Sequence, residues 1–179
     1  MDVGAYVGGY SIRACNLRAF TVALESELSN YELLKKHLSV NNCGDSIAIN
    51  VAIGIGASSG KLPLYAENFD LTISSLKYGR KFRGYVDVKT LDVVLNDISL
   101  SNDRIDVLKI DVEGAELDVL KGANRTLANS RYLLLEIWDQ HLHDVYRILK
   151  AVGFKPIAEV RYEKGVKYRN VLFKSSSKF

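Results

Sequence analysis

The sequence predicts an α/β fold: a mostly parallel sheet, closed by an antiparallel C-terminal strand and interrupted by a β insertion after its third strand. Three observations carry this. Short apolar, β-prone runs alternate with amphipathic helical stretches along most of the chain, the rhythm of βαβ units. The opening stretch Met1-Asp2-Val3-Gly4-Ala5-Tyr6-Val7-Gly8-Gly9-Tyr10-Ser11 has the glycine spacing of a strand end turning tightly into a helix. The last two strand-like runs, over 154–160 and 166–174, flank Gly165 and read as a hairpin that breaks the alternation.

The elements follow in order. A first helix is expected over 7–17, with Val7, Ile12 and Cys15 on its apolar side. The run 20–24 suits a strand buried on both faces and is closed by Glu25 and Ser26. Ser29-Asn30 offers an N-cap for a helix over 31–38, in which Tyr31, Leu34 and Leu38 share a face. A strand is expected over 47–55. From 56 to 88 Gly, Ser and Lys break the pattern, and short β pieces over 61–65, 71–76 and 85–88 read as the insertion. Thr90 caps a short helix to about residue 96. A strand over 105–111 passes into a helix over 114–121 that stops at Gly122. A buried strand over 132–138 precedes a helix over 142–151, with Val145, Ile148 and Leu149 inward and Gly153 ending it. No repeat, linker or low-complexity block divides the chain, so a single domain over 1–179 is expected, with its first strand reduced to residues 1–4 or missing.

Bulk properties narrow the function. A formal charge of +3 over 179 residues, with the basic residues spread out, does not indicate nucleic-acid binding. No apolar run approaches the roughly 18 residues of a membrane span, and no signal-peptide pattern opens the chain. Cys15 and Cys43 lack C-x-x-C spacing and read as thiols in a reducing cytoplasm, with a disulfide the lesser alternative.

A glycine turn before a helix N-terminus is shared by many nucleotide binders. In the dinucleotide fingerprint the second glycine lets the backbone approach a pyrophosphate, but registered from Gly4 that slot holds Tyr6. A second stretch, Asp111-Val112-Glu113-Gly114-Ala115-Glu116-Leu117 with Leu120-Lys121-Gly122-Ala123 behind it, places carboxylates where a strand gives way to a helix. That edge of an open α/β sheet is where ligands bind. The opening turn resembles motif I of S-adenosylmethionine (SAM) dependent methyltransferases. The stretch around Asp111, with Thr90-Leu91-Asp92 and Asn30-Tyr31-Glu32-Leu33-Leu34-Lys35, resembles the FkbM family over nearly the whole chain. The family usually carries asparagine where Tyr6 stands and proline where Ser26 stands.

The resemblance implies a Rossmann-like class I methyltransferase fold with its antiparallel last strand, SAM as methyl donor, and O-methylation of a hydroxyl on a sugar, polyketide or other small molecule. It implies cofactor contacts from Asp2, Gly4, Tyr6, Gly8, Ser11, Glu25, Ser26, Asn30, Asn50 and Asp111. Glu25 lies where an acid accepts hydrogen bonds from ribose hydroxyls. Asp111, Glu113 and His141 are the candidate catalytic residues. Asp111 would face the methionine ammonium or the sulfonium, and Glu113 would orient an acceptor or take its proton. His141 is a second candidate base, against the plainer reading of a solvent-exposed loop histidine. Glu116 reads as a capping contact. Nothing in the spacing of Asp111, Glu136, Asp139 and His141 demands a metal, and none is assigned. The expected partner is a small hydroxylated acceptor, with no nucleic acid or membrane; a homo-oligomer is compatible. Two rival readings are a SAM-binding or degenerate domain without turnover, and an NAD(P)-dependent oxidoreductase.

Overall fold

The computed structural model describes residues 1–53, 60–66, 74–75, 81–161 and 165–176. They group into two compact units, one of Met1–Ile53 with Ser58–Lys89 and one of Thr90–Phe179 with Gly54–Ala57.

The first unit opens on β1 (Asp2–Val3), α1 (Gly9–Asn16), β2 (Val22–Glu25), α2 (Leu28–Val40) and β3 (Ile47–Asn50). β1 pairs parallel with β2, and β2 parallel with β3. All four residues of β2 are buried, as expected of a parallel strand covered on both faces. Ala5, Ala23, Leu34, Leu38 and Cys43 form the core here, with Ile12, Cys15 and Ala48 against it.

Expectations for the cysteines and for the start of α2 are corrected in this unit. Cys15 and Cys43 form a disulfide, so they are not free thiols and the reducing-cytoplasm premise loses its support. α2 starts at Leu28 rather than 31, because Glu27, not Ser29 or Asn30, is its N-cap: the Glu27 carboxylate accepts from the Asn30 N–H at 2.8 Å.

The strand expected over 47–55 is divided. β3 ends at Asn50, and β4 (Ala52–Ile53) pairs instead with β7 (Lys81–Lys89). β5 (Gly60–Ala66) runs antiparallel to β7 and to β6 (Ser74–Ser75), giving a second sheet ordered β4-β7-β5-β6. This is the expected insertion. Of its predicted piece over 71–76, residues 71–73 and 76 lie outside the described residues.

The second unit begins with α3 (Leu91–Asp97), capped by Thr90 Oγ1 on the Val93 N–H at 3.2 Å. β8 (Ile105–Ile110) and β9 (Ser130–Trp138) pair in parallel, joined through α4 (Glu116–Lys121) and α5 (Asn124–Ala128). α5 was not expected. Gly122 keeps a φ of −98° rather than a left-handed one and leads into it, while the Asp92 carboxylate accepts from the Arg125 and Thr126 N–H groups at 2.9 and 2.8 Å. A 3-10 turn, Asp139–His141, leads to α6 (Leu142–Ala151). β10 (Phe154–Arg161) and β11 (Tyr168–Ser175) form the predicted hairpin, and β11 inserts antiparallel against β9. Leu108, Ile110, Leu133, Leu135, Ile137, Val171 and Phe173 are buried along these strands. The architecture is thus mixed α/β, mostly parallel, with an antiparallel C-terminal strand pair. Among the described residues, no helix is long and apolar enough to cross a membrane.

Candidate functional site

The predicted site residues fall into two groups, one in each unit. In the first, β1 ends in a turn whose backbone is repeatedly left-handed: φ is +73° at Gly4, +52° at Tyr6 and +96° at Gly8, the N-cap of α1. Glycine adopts such angles without strain; Tyr6 does so at a cost that asparagine would largely avoid. The cost is met by Glu25, at the end of β2, whose Oε2 accepts from the Tyr6 N–H at 2.8 Å while Oε1 accepts from the Glu27 N–H at 2.8 Å. Burial pushes the Glu25 carboxyl up from its ordinary range, and these two backbone bonds pull it part of the way back.

The other predicted residues gather on the same frame. Asp2 is buried, and its Oδ2 accepts from Ser11 Oγ at 2.7 Å, which ties the end of β1 to α1. Asn50 donates from Nδ2 to the carbonyls of Glu25 and Ser26 at 3.0 and 3.1 Å. The Asn30 side chain adds a hydrogen bond to Glu25. Tyr6 is 38% exposed.

The second group lies at the carboxyl ends of β8 and β9. Ile110 stands opposite Leu135, so Asp111 and Glu136 follow on adjacent parallel strands. Lys109 Nζ approaches Asp111 Oδ2 at 3.4 Å. The chain turns through Glu113 and Gly114, with φ +51° and +93°. Glu116 is fully buried and makes a structural contact rather than a helix cap: its Oε1 accepts from the Val112 and Gly114 N–H groups of the preceding turn at 3.3 and 2.9 Å, and α4 has no side-chain cap.

Glu136 was passed over by sequence reasoning except as an optional metal ligand. It is 7% exposed, and its Oε1 is buried without a hydrogen-bond partner. Burial first, then the charges of Asp111, Glu113 and Glu116, push its carboxyl up to about 8, against a smaller opposing pull from Lys109. The sequence signal was a carboxylate inside an otherwise apolar strand. Trp138 Nε1 and His141 Nδ1, a little further along, are likewise buried without partners. His141 is therefore half-buried rather than a solvent-exposed loop residue. Among the described residues, no group of three His, Cys, Asp or Glu side chains is placed to hold a metal ion.

The profile of the Methyltransferase FkbM domain matches residues 2–156. This chain belongs to the FkbM methyltransferase family. The methyltransferase sdnD of Sordaria araneosa is 26% identical over 171 residues, covering 78% of this chain and 66% of that protein. The 2-O-methyltransferase NoeI of Sinorhizobium fredii (strain NBRC 101917 / NGR234) is 35% identical over 74 residues, 40% of this chain and 30% of that one. The matches thus span less than two thirds of these relatives' lengths. Solved structures share the fold, two methyltransferases among them. A precorrin-6y C5,15-methyltransferase from Geobacter metallireducens GS-15 has a TM-score of 0.56 at 14% identity, over 98% of this chain and 78% of that one. An rRNA methylase from Streptococcus thermophilus has a TM-score of 0.60 at 9% identity, over 97% and 84%.

Proposed function

We propose that this chain binds SAM and catalyses transfer of its methyl group to a hydroxyl of a small molecule such as a sugar or polyketide. Family membership supports methyl transfer, and the name of the 2-O-methyltransferase NoeI supports transfer to oxygen. The observation that carries cofactor binding is Glu25. It is fixed by two backbone N–H groups beside a left-handed glycine turn, at the end of a parallel strand where nucleotide folds place the acid that binds ribose. Two backbone N–H groups and the Asn30 side chain take three of the carboxylate's roughly four acceptor positions, leaving one for a ribose hydroxyl. The residues present therefore fit the nucleoside.

SAM, when bound, supplies a methyl group already activated by its sulfonium. The chain's own residues hold the reactants and manage a proton. In the first unit the turn from Gly4 to Gly8 would hold the methionine part close to backbone, and Glu25 would orient the ribose. In the second unit Glu113 and His141 are the candidate bases for an acceptor's proton. Alignment provides most of the rate, with a base adding to it.

Calorimetry with SAM and S-adenosylhomocysteine tests binding, and a labelled-methyl assay on candidate hydroxylated acceptors tests transfer. Glu25→Ala is expected to weaken SAM binding by about 1–3 kcal/mol through lost charge-assisted hydrogen bonds; unchanged affinity removes Glu25 from the site. Binding with no transfer to any acceptor assigns the chain instead as a SAM-binding module.

A further inference from the structure

We propose that the groove between α6 and the terminal hairpin is a binding site for a free medium-chain acyl carboxylate. The groove lies wholly within the second unit, and the inference does not rest on the proposed methyl transfer. It encloses a cavity of about 780 Å³, a size usual for small-ligand sites.

The apolar part of the groove follows from the pattern of α6. Val145 and Leu149 turn one face of the helix onto the sheet and are fully buried. Leu142, Tyr146 and Lys150, spaced four residues apart, share the flank of that face and form one wall. Phe154 of β10 and Phe173 of β11 line the groove while being only 3% and 1% exposed, and Tyr146 packs edge-on to Phe173 at 5.4 Å. Pro156, on the edge strand β10, completes the apolar lining. The wall from Leu142 to Lys150 is about 12 Å long at 1.5 Å per residue, which suits an extended alkyl chain.

The charges select the head group. Lys150 lies in the last turn of α6 and Lys155 near the start of β10, so both ammonium groups belong to the same end of the groove. Both are exposed, and neither has an ion pair among the described residues. His143 and Arg147 add to the basic lining, offset in part by Asp144, which Arg147 meets at 2.9 Å. Asp139 is the acidic lining residue among those described, and Arg169, which also meets Glu159, engages it. The negative end of the α6 dipole, about half a charge, opposes an anion here, against two whole positive charges. A carboxylate between Lys150 and Lys155, with its chain along Tyr146 towards Leu142, matches both halves of the groove. Burial of the chain supplies affinity, and the lysines supply sign and orientation.

The test is a titration of the isotope-labelled full chain with decanoate, below its micelle concentration, followed through backbone amide shifts. Saturable shifts are expected over 142–156 and at Phe173. Decyltrimethylammonium, with the same chain and the opposite charge, should bind about tenfold more weakly or not at all. Lys150→Glu combined with Lys155→Glu should fold as wild type by circular dichroism and lose about tenfold in decanoate affinity. Equal binding of the two amphiphiles overturns the inference, as does undiminished decanoate binding in the folded double variant. Shifts confined to other residues, or no binding of decanoate, overturn it as well. The comparison of the two amphiphiles on the wild-type chain decides the matter even if the double variant does not fold.

Discussion

Glu25 and Glu136 are the same residue type at the ends of parallel strands, and the fold treats them oppositely. Burial raises both carboxyls. Glu25 is then given two backbone N–H donors, which favour its charged form, whereas Glu136 is given three acidic neighbours and an empty oxygen. Glu136 therefore costs stability in a definite pH window. Its carboxyl goes from an ordinary 4.5 to about 8 in the fold, so the folded state holds a proton that the unfolded chain has lost across that interval. Stability is greatest below about 4.5, falls as pH rises towards about 8, and above that bears the whole cost of a buried carboxylate. Glu136→Gln should accordingly melt close to wild type at pH 4.5 but higher at pH 9. The gain is on the order of 2 kcal/mol, or roughly 4–8 °C for a chain this long. Equal melting shifts at both pH values would mean that the charge is not the cause. Glu25 was legible because its spacing from Gly4 and its strand-end position are local facts. Glu136 was not, because the acids that define it arrive from β8 and α4, and nothing within 132–138 announces them.

At the scale of elements, α2 is the platform on which the opening turn is built. Glu27 caps it, Leu34 lies under Gly8, His37 Nδ1 meets the Val7 carbonyl at 2.8 Å, and Cys43 just beyond its end is bonded to Cys15 of α1. A Cβ at Gly8 would stand 2.7 Å from Leu34 Cδ1, on a fully buried side chain and at a φ of +96°. Gly8→Ala should thus lose about 2–4 kcal/mol in denaturant unfolding, from left-handed strain together with overpacking. Gly9→Ala, where a Cβ would meet nothing within 4 Å inside a helix, should be neutral or slightly stabilising. Similar losses at both positions would sink the claim that Leu34 shapes the turn. The disulfide closes a sequence separation of 28 residues, so reduction should cost about 3–4 kcal/mol on the chain-entropy account. Unfolding curves with and without reductant check it, and coincident curves would show that the bond contributes nothing. Neither the bond nor the true start of α2 could be read from the sequence. Two widely spaced cysteines do not say whether they meet, and Ser29-Asn30 is a more usual cap than the glutamate that takes the role.

Over the whole chain, the strand-helix rhythm and the terminal hairpin were legible because hydrophobic periodicity and Gly165 are strong local signals. The insertion was weakly legible for a physical reason: its strands alternate apolar with polar instead of forming continuous apolar runs. Among the described residues its buried cluster is Ala52, Val86 and Val88, while Phe82 and Tyr85 lie exposed, edge-on to one another at 5.3 Å. β9 and β11, by contrast, share seven consecutive register positions and bury Leu133, Leu135, Ile137, Val171 and Phe173. Local opening free energy follows buried apolar contact, so the two sheets should not exchange amide protons alike. Native-state hydrogen exchange is expected to show β5 and β7 opening at low free energy, well before global unfolding. The amides between β9 and β11 should exchange only at the global limit. A mild denaturant series should then release the β5–β7 amides by a separate, shallow step, since little surface is exposed in opening them. If β5 and β7 were as protected as β9, the insertion would be part of the cooperative core, and the exposure of Phe82 and Tyr85 would need another explanation.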